Sequence, residues 1–305
     1  NQGRAFWLRQ TRSRVDMLNQ KQWKDKLPVE DVEALQPVAG GSINEAYEVQ
    51  TKSGKYFLLV QPHATVDFYA AEIAGLKLFE DQQVTAPKVV DAGQLGGDAY
   101  LLLSYLDEGG SGSQAQLGQL VAKLHRVESD SGLFGFDYPT DMADIAFNNQ
   151  WTETWFDQFI KGRIDPMYDR IKSQGYWDSG QVAKADQAYD IMVASLKDHD
   201  SKPSLLHGDL WSGNVMYLKD GSPAIFDPAP FYGDREFDLG ATLTFGGFGP
   251  DFYQAYEEAY PLEPGAWNRI EFYNLYLLLL HLIKFGSSYQ GGVARSMDKI
   301  IQNFE

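Results

Sequence analysis

Leu205-Leu206-His207-Gly208-Asp209-Leu210-Trp211-Ser212-Gly213-Asn214-Val215 sets His207, Asp209 and Asn214 just behind a short apolar run. The pattern H-x-D-x-x-x-x-N is the spacing of a kinase catalytic loop. The chemistry explains it. Phosphoryl transfer needs a carboxylate that orients a hydroxyl and takes its proton, the role that suits Asp209. One tight loop later, a carboxamide oxygen can reach the metal that bridges nucleotide phosphates, the role that suits Asn214. Asp227 follows thirteen residues on, at the end of Ala224-Ile225-Phe226, where a second metal contact is expected. Its next residues are Pro228 and Ala229 in place of Phe-Gly. Taken alone, H-x-D is common and Asp-Asn loops are often plain turns. The apolar runs on both sides supply the strand context that a bare string lacks.

Upstream of this loop the pattern is that of a small α+β lobe. Strands are expected at residues 32–38, 46–51, 56–61, 88–92 and 99–106, with turns at Ser53-Gly54 and Gly96-Gly97. Residues 66–82 have helical periodicity through Phe68, Ala71, Ile73, Leu76 and Phe79. The first thirty residues place Trp7, Leu8, Val15, Leu18 and Trp23 at roughly helical spacing, and a helix is expected there. The Gly/Ser-rich stretch 107–113 marks a boundary, giving lobes at 1–106 and 107–305. Beyond it helices are expected at 116–127, 151–172, 182–197, 252–260 and 266–285.

Composition narrows the function. The 305 residues carry 26 Lys plus Arg against 42 Asp plus Glu, a net charge of −16, which argues against nucleic acid or an anionic membrane as partner. No cysteine is present, so disulfides, thiolate metal sites and a cysteine nucleophile are excluded. Five histidines without an H-x-x-x-H pair give no zinc site. No G-x-S-x-G elbow points to a serine hydrolase. The longest apolar run, at 275–280, ends at His281 and Lys284 and is too short to span a membrane. With no signal-like start, the chain is read as cytoplasmic.

His207-Gly208-Asp209-Leu210-Trp211-Ser212-Gly213-Asn214, Ile225-Phe226-Asp227-Pro228-Ala229 and Tyr232-Gly233-Asp234-Arg235-Glu236-Phe237-Asp238-Leu239 together resemble the fructosamine kinase family. Three earlier pieces agree: Gly40-Gly41-Ser42-Ile43-Asn44, Ala71-Glu72-Ile73-Ala74-Gly75-Leu76 and Gly118-Gln119-Leu120-Val121-Ala122-Lys123-Leu124-His125. The resemblance covers about residues 37 to 301 and implies a bilobal protein-kinase-like fold shared with aminoglycoside and choline phosphotransferases. It implies Mg2+ and ATP as cofactors, with the nucleotide between the lobes. The acceptor would be the 3-hydroxyl of the sugar in a small-molecule or protein-bound ketosamine, and the reaction deglycation. It implies Asp209 as base, Asn214 and Asp227 as metal ligands, and Ser104, Tyr105 and Leu106 at the adenine edge. Gly40, Gly41 and Ser42 are read either as a phosphate-approaching loop or as a plain turn, Trp211 either as a sugar flank or as packing. Asp234 is a substrate candidate, and Asp238 is read as a brace of the catalytic loop.

One position departs. The family and kinases generally carry a Lys on the third strand that pairs with a helix Glu. Glu72 matches the Glu, but Leu59 stands at the Lys position. Three readings follow: a cation such as Lys52, Lys55 or Lys88 substitutes, metal and backbone amides suffice, or the protein is a degenerate nucleotide binder. A phosphotransferase for another small alcohol, aminoglycoside- or choline-like, is the further alternative.

Overall fold

The computed structural model describes residues 20–39, 45–142 and 144–305. The chain divides into two compact units, one of residues 1–112 with 216–226, the other of residues 113–215 with 227–305. The expected loop residues Gly40, Gly41 and Ser42, and the first part of the expected leading helix, lie outside the described residues.

The first unit is built on an antiparallel sheet. Strands β1 (Val32–Pro37), β2 (Glu45–Thr51), β3 (Gly54–Gln61), β4 (Val89–Leu95) and β5 (Asp98–Ser104) lie in the order β1-β2-β3-β5-β4. Period-two alternation decides the faces. Leu58 and Val60 of β3 join Tyr47, Val49, Tyr100 and Leu102 on one face, and helix α1 (Gln20–Lys26) covers it with Trp23 and Leu27. The Trp23 ring meets Tyr100 edge-on, with centroids 5.7 Å apart. The β4–β5 turn is Gly96-Gly97, both at positive φ, as a two-residue hairpin turn requires. Helix α2 (Ala70–Asp81) follows a short 3-10 turn and buries Leu76 and Phe79. Each such side chain contributes roughly 1.5–3 kcal/mol of burial. Residues 216–226 return to this unit: Tyr217 O accepts from Gly109 N, and Ile225 N donates to Thr85 O.

The second unit is mostly helical. Helix α3 (Gln114–His125) starts at Ser113, whose Oγ accepts from Gln116 N at 3.1 Å. The expected helix over 151–172 forms late and irregularly. Thr152 is bridged to Phe134, residues Asp157–Ile164 wind as a π-helix, and α4 (Asp165–Ser173) completes the segment. Pro166 stands in the first turn of α4, where a missing N–H is tolerated. Helix α5 (Ser179–Asp198) opens on a capping box between Asp178 and Gln181.

Strand β6 (Ser204–Leu206) then pairs antiparallel with β7 (Phe231–Gly233), with Leu206 opposite Phe231. Helices α6 (Glu236–Thr244), α7 (Pro250–Ala259), α8 (Ala266–Phe285) and α9 (Gln290–Asn303) finish the chain. Helix α8 is buried along most of its length, and a Cβ at Gly240 of α6 would lie 2.4 Å from Tyr273 Cβ, so α6 and α8 touch backbone to side chain. Trp155, Phe159, Phe231, Phe237, Tyr273 and Tyr276 form an aromatic core, and the guanidinium of Arg163 lies 3.9 Å from the centre of the Phe231 ring. Among the described residues, no helix is long and apolar enough to cross a membrane.

Candidate active site

Strand β6 delivers the catalytic loop and the segment leading into β7 carries Asp227. The two are laced together: Ala229 N donates to His207 O at 2.8 Å. Gly208 makes this crossing possible. Its φ is +84°, and an added Cβ would lie 1.8 Å from Ala229 O. Past the crossing, the carboxamide of Asn214 turns toward Asp209. Its Nδ2 donates to Asp209 O at 2.8 Å and to Asp209 Oδ2 at 3.1 Å. That orientation leaves Asn214 Oδ1 as the acceptor for a cation.

Asp209 and Asp227 act on one another electrostatically. Loss of solvent pushes Asp209 up to about 7, and the Asp227 charge adds to it, while the Asn214 hydrogen bond and Lys284 pull the other way. Asp227 is also raised by desolvation, although its side chain reaches solvent. Asp227 and the Asn214 carboxamide oxygen are hard-oxygen donors of the kind that Mg2+ takes, and the Asp209 carboxylate neighbours them. An added divalent cation would relieve the repulsion between the two carboxylates.

Asp238 holds the loop from beneath. It is wholly buried and accepts from His207 N (2.8 Å), Gly208 N (3.0 Å) and His125 Nε2 (2.8 Å). Tyr256 OH is 2.7 Å from His125 Nδ1. Burial would raise the Asp238 carboxyl, but the hydrogen bonds and charge of His125, with the His207 amide, outweigh it and hold the group low. A lowered folded pKa contributes stability that is present above the unfolded carboxyl range and is lost as pH falls through the folded value. Asp238→Asn removes that contribution and leaves one of three donors facing an NH2. We expect a loss of about 3 kcal/mol near pH 7 and a flatter fall in melting temperature below about pH 4 than wild type shows. Melting curves from pH 7 down to pH 3 check it.

The structure brings Asp209, Asn214, Asp227 and Trp211 together in the second unit. Trp211 is half-buried, and a Cβ at Gly213 would lie 2.0 Å from its ring, so the indole folds over its own loop. Asp234 lies elsewhere. It is 3% exposed and accepts from Ser201 Oγ (2.6 Å) and Glu236 N (2.9 Å), with His199 Nε2 at 3.1 Å. Glu236 beside it is doubly bonded by Arg269. The Asp234 carboxylate is committed to these partners and braces the turn entering α6.

Glu72, Ser104, Tyr105 and Leu106 lie in the first unit. Glu72 is half-buried on α2, and its charge acts on the Tyr69 hydroxyl. Ser104 still belongs to β5 and gives its amide to Lys88 O at 2.8 Å, so it has no N–H to offer an adenine, whereas Tyr105 and Leu106 follow past the strand end. Leu59 is 4% exposed in an apolar row with Ala46 and Leu101 as its cross-strand partners. The three substitute cations are engaged: Lys52 with Asp31 at 3.7 Å, Lys55 with Glu48 at 2.9 Å, and Lys88 with Glu80 at 3.8 Å.

A family model described as fructosamine kinase matches residues 16–303. A probable ketoamine kinase of Staphylococcus aureus is 53% identical over 283 residues, covering 93% of this chain and 98% of its own. A chloroplastic protein-ribulosamine 3-kinase of Arabidopsis thaliana is 33% identical over 268 residues, covering 87% and 82%. Among solved structures, a candidate fructosamine-3-kinase from Haemophilus somnus superposes with a TM-score of 0.78 at 27% identity, over 88% of this chain and 92% of that one. A thermostable mutant of aminoglycoside phosphotransferase APH(4)-Ia, in ternary complex with ADP and hygromycin B, superposes with a TM-score of 0.63 at 17% identity, over 89% and 94%, and so shares the fold.

Proposed function

The chain belongs to the fructosamine kinase family, a family of phosphotransferases, and from that premise we propose that it moves the γ-phosphoryl group of ATP to the 3-hydroxyl of a ketosamine sugar. The observation that carries this reading is the Asn214 carboxamide turned onto Asp209 with Asp227 beside them. The 3-position finds support in the protein-ribulosamine 3-kinase, and the nucleotide in the ADP complex of the distant aminoglycoside phosphotransferase.

Asp209 accepts a hydrogen bond from the sugar hydroxyl and orients it. As the hydroxyl oxygen forms its bond to the γ-phosphorus, the bond from that phosphorus to the β–γ bridging oxygen breaks, and ADP carries off the electron pair. The hydroxyl proton passes to Asp209. Asn214 Oδ1 and Asp227 would hold Mg2+, which when bound neutralises phosphate charge. Asn214 also fixes the Asp209 carboxylate, so the base is positioned before the acceptor arrives. Trp211 offers a flat face for the sugar ring. With this set assembled, Leu59 weakens the hold on phosphate without removing the base.

A substrate panel tests the reading. Mass spectrometry after incubation with Mg2+ and ATP should show a gain of one phosphoryl group on a fructosamine or a ribulosamine, and none on hygromycin B or choline. Transfer to an aminoglycoside or to choline alone would overturn the acceptor assignment.

A further inference from the structure

The last turn of α8 is fastened to the catalytic loop by a run of rings. Trp211 meets Phe245 edge-on, at 5.9 Å and 75°. Phe245 meets the His281 ring at 4.9 Å, and His281 packs on Phe285 at 5.6 Å and Tyr289 at 5.1 Å. His281 Nδ1 lies 2.7 Å from Leu277 O, which fixes the orientation of the ring. Lys284 stands three residues beyond His281, on the same face of α8. It is half-buried, with Nζ 5.5 Å from the centre of the Phe285 ring. Two carboxylates act on it, Asp209 of the catalytic loop and Asp144. Burial lowers its pKa, and those two carboxylates raise it.

The acceptor side of the site is therefore acidic. Asp209, Asp227 and Asp144 all lie in the second unit, and a phosphoryl group passing beside Asp209 adds further negative charge there. Kinases offset such charge with the third-strand Lys, and Leu59 cannot. We propose that Lys284, on the face of α8 whose His281 ring reaches Trp211 of the loop through Phe245, is the cation that offsets charge developing on the transferring phosphoryl group. The inference rests on the phosphotransfer reading above. A cation fixed in place before the reaction stabilises the transition state more than the bound substrate, so its loss shows in kcat rather than in KM.

The test compares wild type, Lys284→Met and Lys284→Arg. Two acceptors are used: 1-deoxy-1-morpholinofructose, which has no carboxylate, and fructosyl-glycine, which has one. Lys284→Met should lower kcat about 10²-fold with both, at the low end of what one preorganised charge partner supplies. KM and melting temperature should stay near wild type, and Lys284→Arg should recover most of the rate. Binding is measured as well: Lys284→Met should weaken Mg·ADP with aluminium fluoride, a mimic of the transferring group, and leave Mg·ADP unchanged. An unchanged kcat with unchanged mimic binding would overturn the proposal. So would a rise in KM confined to fructosyl-glycine, which would make Lys284 a carboxylate subsite. A fall in melting temperature that Lys284→Arg fails to restore would make it structural, and would overturn the proposal too. A wild type inactive on both ketosamines would count against the ketosamine reading, and the mimic would still decide Lys284.

Discussion

Asp209→Asn lowers turnover on a ketosamine by about 10²–10⁴-fold, the span that general-base catalysis supplies, while the protein stays folded. The second half of this expectation comes from the electrostatics of the loop. Burial and the neighbouring Asp227 make the Asp209 charge unfavourable in the folded chain. A group whose pKa is raised on folding costs stability when it is ionised, so a neutral isostere relieves the fold. The Asn214 Nδ2 contact can be kept by the new carboxamide oxygen. The melting temperature of Asp209→Asn should therefore match or exceed that of wild type. A variant that loses activity and melts early would make Asp209 a structural residue.

Gly208→Ala should damage the site as well, through geometry alone. The residue sits at φ +84°, which costs an alanine about 1–3 kcal/mol. The added Cβ would also lie 1.8 Å from Ala229 O, a backbone atom tied to His207 O through its own amide. Relief requires the catalytic loop and the Asp227 segment to slide apart. Asp209 lies on one and Asp227 on the other, and a displacement of about 1 Å costs about 10²-fold in rate. Gly132→Ala is the control: it shares a positive φ, 72°, but has nothing within 4 Å of its Cβ. Both variants should lose a few degrees of melting temperature, and Gly208→Ala alone should lose at least about 10²-fold in kcat. Equal behaviour of the two would mean that the crossing does not set the site.

The sheet was legible because β2 alternates, β3 and β5 are short apolar runs, and Gly96-Gly97 marks the turn between β4 and β5. Helix α8 was legible from its long apolar run. Helix α9 carries a signal that Gly291-Gly292 and its polar residues hid: Val293, Met297 and Ile300 repeat at helical spacing and are buried. Helix α6 reads locally as a charged turn, and its start depends on Asp234 accepting the Glu236 amide. The late start at Trp155 depends on the bridge from Thr152 to Phe134, a long-range pairing that no local pattern encodes.

Asp209, Asn214 and Asp227 stand out in the sequence because loop chemistry fixes their spacing. Gly208 was quoted only as part of a motif, since its need for a missing Cβ arises from Ala229, in the segment leading into β7. Lys284 drew no notice, because a lysine at the end of an apolar helix has no distinguishing pattern in sequence. The partners of Asp234 were not legible, because a motif aspartate looks the same whether it faces solvent or accepts from Ser201 and the Glu236 amide.

The most direct test of the central claim is the position of the phosphate. Wild type and Asp209→Asn are incubated with Mg2+, ATP and a fructosamine, and the product is read by phosphorus–proton correlation. The account predicts one product, its phosphorus coupled to the proton on carbon 3 and absent with Asp209→Asn. ATP consumed without a phosphorylated sugar, a phosphate on another carbon, or equal product from the variant would contradict it.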